Sequence, residues 1–138
     1  MKPYYKMWIV FGFISIAFHI LLIFSGLVPN LISRPLHLAL ILPWIFLYNQ
    51  KTNLYLFMNI LIVLIGIFSC FYIAVFSNEL MDQYGFIENK FQLIISLILI
   101  LIVLETARRS VGWPLPTVSF LAILYGVFGN YVPGEFRS

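Results

Sequence analysis

From residue 54 to residue 76 the chain runs through Leu54, Asn59, Gly66, Cys70 and Phe76 without one charged side chain. A helix needs about twenty apolar residues to cross a hydrocarbon core of roughly 30 Å, where it alone among open structures satisfies its own backbone polar groups. A run of this kind restricts the chain to the membrane. Four further apolar segments repeat the pattern, at about 8–28, 34–48, 91–109 and 115–128. The expected fold is all-α, a polytopic bundle of four to five apolar helical segments forming a single transmembrane unit over 1–138. Composition agrees, with 62% hydrophobic and 9% charged residues against roughly 25% charged in soluble domains.

Lys2 and Lys6 precede the first segment as in a signal peptide. The run is longer than a signal-peptide core and no small-x-small cleavage pattern follows, so it is expected to be a retained helix. Within it Gly12, Ser15, His19 and Gly26 share one face, the kind of small and polar stripe that packs on other helices. Pro29 and Asn30 then break it. The second segment is short, about 22 Å at 1.5 Å per residue, with Ser33 as expected cap, Pro35 in the first turn and Pro43 as a kink. Trp44 and Tyr48 suit its interfacial end. On the third segment Asn59, Gly66 and Cys70 repeat on one face, and on the fifth Ser119, Ala122, Gly126 and Gly129 do so. Residues 77–90 read as an acidic loop, with Glu79, Asp82 and Glu88 against Lys90.

Cys70 is the one cysteine, so neither a disulfide framework nor a cysteine metal site is expected. The net charge of +3 is scattered at segment ends, where anionic lipid headgroups account for it, and no nucleic-acid partner is implied. Counting Lys and Arg across alternating loops gives five on the amino-terminal side and three on the other, which predicts a cytoplasmic amino terminus.

No phosphate loop, nucleophile elbow or metal-spaced cluster occurs, so the chain is not expected to be an enzyme or to carry a cofactor or metal. His19 is an ionisable group within a membrane segment, which makes it a functional candidate. Structural packing explains it as well, through a bond to Ser15 or to a polar group on another helix such as Asn59. His37, close to Arg34, reads as exposed to headgroups or water. Charge concentrates in Leu104-Glu105-Thr106-Ala107-Arg108-Arg109-Ser110-Val111-Gly112-Trp113-Pro114-Leu115-Pro116. Glu105 stands i+3 from Arg108 and i+4 from Arg109, so it can pair with either. Gly112, Trp113 and the two prolines read as a helix end and tight turn at a membrane surface. Three readings stay open for these charges: an ion pair with cytoplasmic anchoring, a partner contact, or a substrate site.

That stretch, with Leu124-Tyr125-Gly126-Val127-Phe128-Gly129 and Tyr131-Val132-Pro133-Gly134 after it, resembles the amino-terminal region of TRAP (tripartite ATP-independent periplasmic) transporter permeases. The similarity is to the fused type that works with a TAXI-class solute-binding protein; Ser33-Arg34-Pro35-Leu36-His37-Leu38, and Leu80 with Gly85, resemble it more faintly. The resemblance implies the small membrane component, or the equivalent portion of a fused permease, in the bacterial or archaeal inner membrane. It implies as partners a large permease component and a periplasmic binding protein, with uptake of organic acids or similar solutes driven by an ion gradient. Glu105, Arg108, Arg109, Gly112 and Trp113 match the motif, to which the resemblance assigns no transport chemistry. The competing class is a small integral membrane interaction or assembly protein without a transport role.

Overall fold

The computed structural model describes residues 3–25, 28–48 and 53–131. Six helices follow in order: α1 (Pro3–Ser25), α2 (Asn30–Leu47), α3 (Asn53–Val75), α4 (Ser77–Asp82), α5 (Lys90–Val111) and α6 (Pro114–Phe128), with a 3-10 turn at Gly129–Tyr131. No strand occurs among the described residues. Tyr5–Phe24, Asn30–Leu47, Tyr55–Val75 and Lys90–Val111 are long and apolar enough to cross a membrane. The chain is therefore an all-α, multi-pass membrane protein. The fifth apolar segment, α6, has 15 residues and reaches about 22 Å, short of a hydrocarbon core.

Several boundaries differ from the expected ones. The first helix starts at Pro3 rather than residue 8, and proline suits a first helical position because its missing N–H is an orphan there anyway. The second starts at Asn30 rather than residue 34, giving 18 residues and about 27 Å. Pro29, with φ −55° and ψ 146°, is its N-cap, and the Pro29 carbonyl accepts bonds from the Ile32 and Ser33 N–H groups at 2.9 and 3.0 Å. Ser33 is thus not the cap, and Pro35 lies inside the helix along with Pro43. The acidic stretch 77–90 is not all loop: it opens with α4 and turns through Tyr84 and Gly85, both at positive φ. Gly26 and the polar stretch Asn49-Gln50-Lys51-Thr52, which reads in sequence as a short loop, lie outside the described residues.

By their internal contacts the residues group into two compact units, Met1–Leu99 and Ile100–Ser138. In the first, α2 packs along α3 more extensively than any other helix pair. Leu42 and Phe46 of α2 are fully buried, and Asn59, Val63, Gly66, Ser69 and Cys70 form one buried stripe on α3. Small side chains at Gly66, Ser69 and Cys70 allow close helix approach. Ser69 Oγ satisfies itself by donating to the Ile65 carbonyl at 2.8 Å. Helix α1 meets α2 through aromatic rings, with Trp8 centred 5.1 Å from Trp44 and 5.5 Å from Tyr48. Beneath them, a Cβ on Gly12 would stand 3.2 Å from Trp44 Cζ2. Two tryptophans and a tyrosine gathered at one end of a helix pair are the composition of a membrane-interface belt. At the start of α5, Asn89 Oδ1 accepts the Gln92 N–H at 2.9 Å while Gln92 Oε1 accepts the Glu88 N–H at 3.1 Å, a two-bond cap related to the capping box, with the return bond reaching the residue before Asn89.

In the second unit the chain leaves α5 through Gly112, at φ +93°, whose N–H donates to the Arg108 carbonyl at 3.0 Å. Only glycine adopts that conformation without strain. Gly112→Ala is expected to lower stability by about 1 kcal/mol. Gly126 sits inside α6, where an added Cβ meets nothing within 4 Å, so Gly126→Ala should raise stability by up to about 1 kcal/mol. Thermal unfolding of the two variants in one detergent checks the opposite signs. The expected small-residue stripe on α6 leaves Ala122 and Gly126 exposed, while Gly129 is buried in the 3-10 turn.

Candidate functional site

Five motif residues meet at the end of α5. Three and four residues along a helix lie on the same face, so the Glu105 carboxylate faces both arginines. Arg108 Nε donates to Oε2 and Arg108 Nη2 to Oε1, each at 2.7 Å, and Arg109 Nε donates to Oε1 at 2.7 Å. The Arg108 pair is the forked, two-oxygen geometry in which guanidinium and carboxylate bind most strongly. Arg108 also lies over the Trp113 ring, 5.5 Å from its centroid, within cation–π range. One carboxylate against two guanidiniums leaves a net positive charge in the last turn of α5, the end at which the helix dipole favours cations. Thr106, Ser110 and Thr117 hydroxyls donate to the carbonyls of Ile102, Thr106 and Trp113 at 2.6 to 2.8 Å. They are bound within their own helices. Beside the clamp, Leu104, Glu105, Arg108, Trp113 and Thr117 help to line a hollow of about 380 Å³. Tied charges of this kind can hold a turn in one shape and present a cationic surface.

The intramembrane polar residues occupy a different place. His19 Nδ1 bonds to the Ser15 carbonyl at 2.6 Å, and its ring centroid lies 4.1 Å from that of His37 with planes at 63°. His37 is therefore half-buried against α1 rather than exposed near Arg34. The hairpin of α1 and α2 produces this contact, and no linear spacing announces it. Asn59 is buried on α3, 3% exposed. Ser15 is 8% exposed and its Oγ has no hydrogen-bond partner. Gly12, Ser15, His19 and Ile23 of α1, with Leu40 and Trp44 of α2, help to line a groove of about 450 Å³. Among the described residues no group of three or more His, Cys, Asp or Glu side chains stands ready to hold a metal ion.

Compared with protein-family models, curated proteins and solved structures, the chain finds no match in any of the three. The clamp is visible in sequence from helical spacing alone, whereas the His19–His37 contact and the two-bond cap of α5 are not. An Asn-x-x-Gln signature at Asn89 and Gln92 was the available signal for the cap.

Proposed function

We propose that the chain is the membrane scaffold component of a TRAP-type secondary transporter, acting beside a large permease component and a TAXI-type periplasmic binding protein. The observation that carries this reading is the Glu105–Arg108–Arg109 clamp beside Gly112 and Trp113, formed by the very residues that resemble the family's motif. A turn held this firmly is suited to a fixed docking surface. Long helices whose outward faces are largely apolar, such as α1 with Phe13, Ile23 and Phe24 exposed, support a role within lipid and among partner helices. In this reading the protein lies in a bacterial or archaeal inner membrane with its amino terminus in the cytoplasm. Solutes such as organic acids are carried by the large component at the expense of an ion gradient.

Co-expression of the tagged full chain with the large permease component encoded beside it, followed by detergent extraction and native mass spectrometry, tests the proposal. A one-to-one complex is the expected result. Two folded proteins that do not associate would overturn it and favour an independent membrane interaction or assembly protein.

A further inference from the structure

We infer that His19 and His37 together form a site for a single proton within the membrane-spanning region. The inference does not rest on the transporter reading, because both residues lie outside the charged turn. The Ser15 carbonyl can only accept, so the 2.6 Å contact requires His19 Nδ1 to carry hydrogen. Nε2 is then the basic nitrogen of the neutral ring, and a proton arriving from bulk water is taken there or on His37. With ring centroids 4.1 Å apart, a second proton would set two cations in contact. At this separation a charge on either ring disfavours a charge on the other.

The surroundings sharpen the argument. Besides the two histidines, the charged residues are Lys6 on α1 and Arg34 on α2, both basic, and α3 carries none. The other titratable groups of these helices are Tyr4 and Tyr5 on α1 and Tyr55, Cys70 and Tyr72 on α3. The first carboxylate in the sequence is Glu79, beyond all three helices. No acid on α1, α2 or α3 can balance a second positive charge. On α1 and α2 one charge is met by the other imidazole, presented edge against face, and by the wall of the groove where Ser15 Oγ has no partner; the carboxylates of the same unit on α4 are Glu79 and Asp82, with Leu80 between them sharing a hollow with Leu31 at the start of α2. Ionisable side chains in such positions mark proton and ion sites in membrane proteins.

The chain contains two histidines, so a purification tag without histidine leaves an unambiguous signal. The full chain, labelled with ¹⁵N-histidine and placed in nanodiscs of phosphatidylethanolamine and phosphatidylglycerol, is titrated from pH 8 to pH 4.5 by ¹⁵N NMR. The expected result is a Nδ1-protonated neutral His19 and one step in which both rings respond and one proton binds per chain. A second step should be separated from the first and fall at lower pH. In His37→Gln, and separately in His19→Gln, the remaining ring should titrate in one step displaced from the wild-type midpoint. Rings that take protons independently over one pH range, rings that take none, or a variant whose remaining ring titrates as in the wild type would each overturn the inference. Helix content by circular dichroism reports whether the variants fold; if they do not, the wild-type titration alone decides.

Discussion

Glu105→Ala is expected to destabilise the turn between α5 and α6 by about 1–2 kcal/mol and to reduce the yield of the proposed complex roughly tenfold. Three hydrogen bonds of 2.7 Å converge on that one carboxylate. The side chains are 26% to 37% exposed, so each bond contributes less than a buried one. The larger effect comes from what is left behind, since Arg108 and Arg109 then repel each other without a shared anion and Arg108 is free to leave Trp113. Arg109→Gln removes the Arg109 bond to Glu105 and keeps the fork, so its effect on the clamp should be smaller. Glu105→Gln combined with Arg109→Gln should recover part of the loss, because one source of repulsion goes with the anion. Thermal unfolding measures the first quantity and native mass spectrometry the second. A Glu105→Ala complex that assembles normally but prefers a different solute would reject the docking role and point to a substrate site.

The parts of this molecule that sequence exposes are those governed by local rules. A run of 23 residues from Leu54 to Phe76 free of charge has one physical solution in a bilayer, and α3 occupies Asn53–Val75. Glu105, Arg108 and Arg109 are joined by helical geometry within one turn, so their contact follows from spacing. Pro29 was ambiguous because a proline ends one helix as readily as it starts the next, and α2 consequently begins earlier than expected. Helix α4, six polar and apolar residues in Ser77–Asp82, has neither the length nor the periodicity that marks a helix in sequence. His37 was misplaced for a different reason. Its neighbour is set by how two helices fold back on each other, and Arg34, three residues away, is a poorer guide than His19 across the hairpin. The aromatic residues likewise look dispersed along the chain, yet Trp8, Trp44 and Tyr48 converge once α1 lies on α2.

Phe46→Ala is expected to lower stability by about 2–3 kcal/mol, the largest loss of any single truncation in the first unit. In water most of such a loss would come from transferring an aromatic ring out of solvent. In a bilayer that contribution nearly vanishes, because lipid tails are as apolar as the core. What remains is packing. Phe46 is 0% exposed on α2, the helix that packs along α3, and removing its ring leaves a void of roughly 100 Å³, which at about 24 cal/mol per Å³ amounts to about 2.4 kcal/mol. Phe24 provides the contrast at 85% exposure on α1, where lipid fills the space the ring vacates; Phe24→Ala should change stability by less than about 0.5 kcal/mol. Unfolding both variants by added SDS in mixed micelles compares them directly. Equal losses would mean that the seam between α2 and α3 does not hold the helices together. A selective loss at Phe46 would identify that seam as the fixed frame on which α1, and with it the His19–His37 contact, is carried.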